Sequence, residues 1–192
     1  MRSPLLLEPL PALATARLLL RTPAPGDGQL VFEAVAESLQ NLRRYLASLP
    51  WVAAEPSVEA SEVFCRSAHA NFHARKDFPY LIFESLSSRL VGVCGLHRPE
   101  WGTPKLEVGY WCRTSALGNG YITEAAQAVC AHAFERFGAA RLEIVTDEEN
   151  IPSRRVAERC GFILEGTLRS ERRDPNGCLR NTCIYARFPD AT

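Results

Sequence analysis

Gly118 and Gly120, one residue apart and just ahead of an Ala-rich apolar run, are the residues whose spacing most directly offers chemistry. Backbone N–H groups at the start of a helix have no intrahelical acceptor, and the aligned peptide dipoles place partial positive charge there. A phosphate or pyrophosphate is the natural guest of such a turn. No Lys-Ser or Lys-Thr follows Gly120, which excludes a P-loop, and no third glycine completes a dinucleotide fingerprint. A glycine pair ahead of a helix is also an ordinary turn, since glycine is the default wherever φ must be positive. The neighbouring elements have to decide between the two.

Those elements are readable. Residues 106–112 form an apolar, aromatic strand, and residues 123–137 form a helix with Ala126, Val129, Cys130, Ala133 and Phe134 on one face, ended by Gly138. Upstream, strands at 80–84 and 90–96 make a hairpin, and a turn at 99–104 leads into strand 106–112. Downstream, strand 141–146 must run parallel to 106–112 because a helix intervenes. Helix 150–160 closes at Gly161, and strands 162–172 and 178–187 flank the turn Asp174-Pro175-Asn176-Gly177. Toward the start, residues 1–15 read as an extended lead-in and 17–21 as a strand. Asp27 is placed to cap a helix carrying Leu30, Val31, Phe32, Ala34 and Val35, and residues 57–75 form a second helix. This pattern predicts an α/β (α+β) fold: one domain over 1–192, a mixed, mostly antiparallel sheet of about seven strands, and about four helices.

Composition narrows the partners. The chain has 192 residues, 46% apolar and formally uncharged overall, with its arginines spread among acidic residues. It has no electrostatic footprint for nucleic acid or an anionic membrane. The start is too short and proline-broken for a signal peptide, so a cytoplasmic location is expected. Seven cysteines, without a CxxC, read as small reduced core residues, with Cys178 and Cys183 the one pair close enough in sequence to watch. His69 and His73 lie one helical turn apart with no recognisable third ligand, so no metal is expected.

Three motifs follow one another around the glycine pair: Glu107-Val108-Gly109-Tyr110-Trp111, Gly118-Asn119-Gly120-Tyr121, and Thr123-Glu124-Ala125. A fourth is Asn150-Ile151-Pro152-Ser153, followed by Val156 and Cys160-Gly161-Phe162. Together they resemble the GNAT superfamily of N-acetyltransferases, and within it the ribosomal-protein N-terminal acetyltransferases (the RimJ/RimL-like group). The resemblance extends from Arg17-Leu18-Leu19-Leu20-Arg21 to Tyr185. It implies that the strands ending near Cys112 and Thr146 are a splayed central pair holding acetyl-CoA. The main chain of Trp111, Cys112 and Arg113 would pair with the pantetheine, and the N–H groups of Gly118, Asn119, Gly120, Tyr121 and Ile122 would take the pyrophosphate. Asn150 and Ser153 would approach from the other side, with Arg113, Arg154 and Arg155 available to phosphates. Leu117 and Ile122 stand where the family loop usually carries Arg or Gln and Gly or Ala, which predicts weaker binding or a reshaped loop.

The implied reaction is acetyl transfer to a primary amine in a ternary complex, the acceptor being the α-amine of a protein or peptide or a small-molecule amine. A chain-terminal amine, with a pKa near ~8 against ~10.4 for lysine, needs only a modest base. Glu107 is the expected base, or else a carboxylate paired with a nearby arginine. Ser153 is expected to hold the sulfur, or to cap its helix with Asn150, and Tyr110 and Tyr185 are the reserve donors, or else core aromatics. Tyr45, Trp51, Glu107 and Tyr110 would outline the acceptor pocket, or else Trp51, beside Pro50, plugs the edge of the core. The alternative is a non-catalytic acyl-CoA sensor, and the family resemblance also allows a homodimer.

Overall fold

The structure, a computed structural model, describes residues 3–189; Met1, Arg2 and residues 190–192 of the expected domain lie outside it. A single sheet of eight strands runs β1 (Ala12–Ala14), β2 (Leu18–Arg21), β3 (Phe78–Glu84), β4 (Leu90–Glu100), β5 (Lys105–Cys112), β6 (Arg141–Asp147), β8 (Leu179–Arg187), β7 (Ile163–Arg173) in spatial order. Every neighbouring pair is antiparallel except β5 with β6. Helices α1 (Gly28–Leu46), α2 (Pro50–Ala53) and α3 (Val58–His73) precede the central strands, α4 (Tyr121–Phe137) links β5 to β6, and α5 (Ile151–Arg159) follows β6. The extra strand comes from the lead-in, which turns at Thr15 and pairs back on β2, with Leu13 opposite Leu20. The short α2, which carries Trp51, was not read from the sequence; Pro50 starts it and four residues are too few for a periodic signal.

Alternation in the central strands separates two cores. Phe78, Tyr80 and Ile82 of β3 pack with Val129, Cys130, Ala133 and Phe137 of α4 on one face of the sheet. Leu81 and Phe83 pack with Val31, Ala34 and Val35 of α1 and with Cys65 of α3 on the other. A strand covered on both faces reads as an unbroken apolar run, as 78–83 does. Cys65, Cys94, Cys130, Cys160 and Cys183 are buried in these cores, and all seven thiols are free. Among the described residues no helix is long and apolar enough to cross a membrane.

Two local expectations are corrected. Asp27 stands at the N-cap of α1 without capping it: its carboxylate accepts two hydrogen bonds from Arg21, each 2.7 Å, and one from the Ala24 N–H. The free N–H groups of Gly26 and Gly28 go instead to Glu62 of α3, and a Cβ at Gly28 would stand 2.7 Å from that of Glu62. The second correction is β4, which runs on to Glu100 through Pro99 where a turn was expected. A bulge after His97, with Arg98 at φ +49°, lets pairing resume at Glu100 with Lys105, so Pro99 falls where no ladder donor is needed.

Candidate active site

β5 and β6 pair only from Lys105 with Arg141 to Glu107 with Glu143, then part. The Arg113 N–H bonds to the Val91 carbonyl of β4, so by alternation Glu107, Gly109 and Trp111 also spend their main-chain groups on β4. Tyr110 and Cys112 therefore turn theirs into the gap. Of the strand stretch expected to pair with the pantetheine, Cys112 turns its main-chain groups into the gap, while those of Trp111 and Arg113 face β4. The gap is the middle of one cleft of about 1810 Å³ that runs from α1 and α2 to the start of α4.

At the α4 end, Gly118 and Gly120 have φ +80° and +76°, the left-handed region that glycine enters without strain. Among the described residues, the N–H groups of Gly118, Asn119, Gly120, Tyr121, Ile122 and Thr123 have no acceptor within the chain. No atom stands within 4 Å of a Cβ built on Gly118, and only the Arg17 guanidinium, at 3.6 Å, does so at Gly120. The cradle is open, donor-rich and at the positive end of a helix of 17 residues. Ile122 sends its side chain into the core under α4, 8% exposed. Leu117 lies exposed on the surface. Asn119 serves the loop itself, its side-chain amide donating to the Ala116 carbonyl at 3.1 Å.

Helix α1 clamps the turn that leads into this loop. Glu37 accepts hydrogen bonds from the Ser115 N–H and hydroxyl and from Arg113 Nε, the last at 2.6 Å, and Ser38 Oγ accepts the Thr114 N–H. Arg113 is thereby spent, and Arg154 is likewise tied to the Tyr185 hydroxyl and the Glu148 carbonyl. Of the three arginines expected near phosphates, only Arg155 lies exposed on the cleft. The bonds from Ser115, joined by Arg113 and opposed by partial burial, hold the Glu37 carboxyl at about 2 against an ordinary 4.5. A carboxyl depressed in the fold stabilises above its unfolded pKa and loses that contribution as pH falls through its folded value. The melting-temperature gap between the parent and Glu37→Gln is therefore expected at full size above pH 4.5, closing toward about 2. A gap that stays constant across that window in thermal melts would refute the clamp.

The two faces of the gap differ. On the α5 side, Tyr110 Oη donates to the Ser153 carbonyl at 3.0 Å and lies 3.1 Å from Ser153 Oγ, while Asn150 Oδ1 accepts the Ser153 N–H and caps the helix. The capping is done by Asn150 alone, and the Ser153 hydroxyl has its contact with Tyr110. Tyr185 is withdrawn, 1% exposed and bonded to Arg154 and Glu158. On the opposite face, Glu107 receives Arg98 Nε and a second guanidinium nitrogen on Oε2, and among the described residues its Oε1 has no partner. Trp51 and Trp111 stand with ring centroids 6.2 Å apart on the same cleft, with Tyr45 nearby, so Trp51 is a wall of the cleft.

Sequence reasoning missed Asp77, His97 and Arg98, which line the cleft beside Glu107. The one trace of them in the sequence is Gly109, where a Cβ would stand 2.8 Å from the His97 ring. His69 and His73 stack edge to face at 4.8 Å, with His69 Nδ1 on the Pro23 carbonyl, and no metal-ligand cluster is found among the described residues.

Comparison with known proteins fits this geometry. Residues 17–163 match the sequence model of the acetyltransferase (GNAT) domain. A ribosomal-protein-serine acetyltransferase of Escherichia coli (strain K12) is 34% identical over 112 residues, covering 58% of this chain. The aligned stretches span 61% of that relative and 44% of one from Bacillus subtilis. Among solved structures, a RimL ribosomal L7/L12 alpha-N-protein acetyltransferase with coenzyme A superposes with a TM-score of 0.85 over 94% of this chain and 98% of its own, at 24% identity. The microcin C7 self-immunity acetyltransferase MccE, with acetyl-CoA and AMP, gives 0.81 over 91% and 93% at 22% identity. At such identities the likeness to both structures is one of fold.

Proposed function

Because the chain belongs to the GNAT acetyltransferase family, we propose that it moves an acetyl group from acetyl-CoA to a primary amine, foremost the α-amine of a protein or peptide. The reading rests on one observation: an unpaired strand edge at Tyr110 and Cys112 continues into a run of N–H groups without chain acceptors at the start of α4. An extended chain of amides ending in a diphosphate matches that sequence of donors and acceptors. Acetyl-CoA is such a molecule and, when bound, supplies the activated acyl group.

The chain's own residues do the rest. Gly118, Asn119, Gly120, Tyr121 and Ile122 hold the diphosphate through their N–H groups, and Arg155 adds charge. The Tyr110 and Ser153 hydroxyls, 3.1 Å apart at the gap, would donate to the departing sulfur, Tyr110 giving up its bond to the Ser153 carbonyl. Glu107 receives the amine through Oε1, the oxygen that Arg98 leaves open. Tyr45, Trp51 and Trp111 bound the space beside it, which suits an amine carried on an apolar or peptide body better than a polyamine.

Thiol release measured over a panel of peptides, amino acids and polyamines tests this reading. Turnover with at least one amine is expected; acetyl-CoA binding without turnover on any of them would leave a sensor in place of an enzyme. Trp51→Ala is expected to raise KM for the acceptor about tenfold, as loss of a large aromatic contact does, and to leave KM for acetyl-CoA alone. An unchanged acceptor KM would move the pocket elsewhere.

The reading takes residues 1–192 as one acetyltransferase unit, supported by a sheet that runs unbroken to Arg187. It includes a cytoplasmic location, supported by the free thiols. It also includes a homodimer, supported by Ile163, Leu164 and Leu168 exposed on the β7 edge and tested by light scattering.

A further inference from the structure

On the reading above, we infer that His97, oriented by Asp77, is the group that takes the proton from the acceptor amine, with Glu107 holding that amine rather than deprotonating it. His97 Nδ1 lies 2.7 Å from Asp77 Oδ1. A carboxylate only accepts, so Nδ1 carries the hydrogen and Nε2 presents a lone pair. Among the described residues Nε2 has no hydrogen-bond partner, and the ring lies on the cleft.

The sheet is built to admit this ring. A Cβ at Gly109 would stand 2.8 Å from His97 Cδ2 and 3.0 Å from Nε2, and one at Gly95 would stand 3.1 Å from Nε2. The ring therefore rests in space that the bare Gly109 leaves, on the strand whose next residue turns its main chain into the gap; at Gly95 the Pro79 Cα and the Phe78 carbonyl, at 2.7 and 2.8 Å, stand closer still. His97 and Glu107 are directly opposed in register, which puts their side chains on one face. A regular strand would send the next residue, Arg98, to the other face. The bulge and the positive φ of Arg98 bring its guanidinium back to Glu107, occupying Oε2. One carboxylate oxygen is thus left to bind the amine, on the same face of the sheet as the His97 ring.

The step balances. An ammonium N–H bond breaks and its proton forms an N–H bond on Nε2, giving an imidazolium paired with Asp77. The electron pair left on the amine forms the C–N bond to the acetyl carbon while the C–S bond breaks and its pair departs with sulfur. The sulfur takes the surplus proton of the new amide through the Tyr110 and Ser153 hydroxyls, and Nε2 returns its own to water. The charged groups around the ring are Lys76 and Asp77 before β3, Arg98 on its own strand and Glu107 on β5; Glu143 of β6 acts on Arg98.

The test compares His97→Asn, Asp77→Asn and Glu107→Gln with an amine that the parent acetylates. Retention of the thermal shift caused by acetyl-CoA shows that each variant is folded and loads. His97→Asn is expected to lower kcat by about a hundredfold to a thousandfold with KM for acetyl-CoA unchanged, the usual size of a lost general base. Glu107→Gln is expected to act chiefly on acceptor KM. Added imidazole should restore part of the activity of His97→Ala, and ring nitrogen shifts in NMR should show the Nδ1–H form in the parent and its loss in Asp77→Asn. Full kcat in His97→Asn together with an inactive Glu107→Gln would overturn the assignment while acetyl transfer stood. A parent that turns over no amine would instead remove the reading beneath it.

Discussion

Gly120→Glu is expected to abolish the rise in melting temperature that acetyl-CoA causes in the parent and to lower kcat/KM for acetyl-CoA by about a thousandfold, or ~4 kcal/mol. Two effects combine at this residue. The backbone at φ +76° is one that a side chain occupies at a cost of about 1–2 kcal/mol. The added carboxylate would also stand among N–H groups that have no other acceptor, taking the place of the diphosphate at the positive end of α4. Gly120→Ala separates them: nothing closer than the movable Arg17 guanidinium, at 3.6 Å, meets the new methyl group. That variant should lose about 1 kcal/mol of stability and still bind. Equal loss of binding in both variants, measured by thermal shift and calorimetry, would mean that loop shape and not the donor array holds the ligand.

The double variant Tyr110→Phe, Ser153→Ala is expected to lower kcat by about a hundredfold or more while KM for acetyl-CoA changes less than about threefold. The two hydroxyls lie 3.1 Å apart across the gap, on β5 and α5, so each can stand in for the other toward a departing thiolate. Single variants should each cost about tenfold, and their effects should not add. Burial pushes the Tyr110 hydroxyl well above its ordinary pKa, so it stays a donor throughout the working pH range. The contact strengthens only as charge gathers on sulfur, which is why kcat and not binding should report it. A double variant that matches the parent in kcat would leave the sulfur to water, and the hydroxyl pair would then only fasten α5 to the sheet.

Much of the fold was legible because the signals are local. Residues 123–137 repeat apolar side chains at helical spacing ahead of Gly138, and 174–177 spell a turn that closes with Gly177 N–H on the Asp174 carbonyl at 3.0 Å. The strand boundaries shifted where tertiary pairing overrode local spelling. Pro99 reads as a breaker, yet the bulge at Arg98 carries β4 past it, and Ala12–Ala14 becomes a strand because β2 offers it an edge. Arg113 and Arg154 look like free cations on paper, and Glu37 and Tyr185, far off in the chain, use them up.

What the sequence alone determined is the run of elements around residues 107–134 and the donor-rich turn at Gly118 and Gly120, since backbone conformation and helix polarity depend on nearest neighbours. Only the tertiary structure decided which groups share the cleft. Asp77, His97, Arg98 and Glu107 come from a turn and two strands, and what joins them is strand register, a bulge and the missing side chain at Gly109. Register depends on how whole strands bury their faces, and no short stretch of sequence contains that sum.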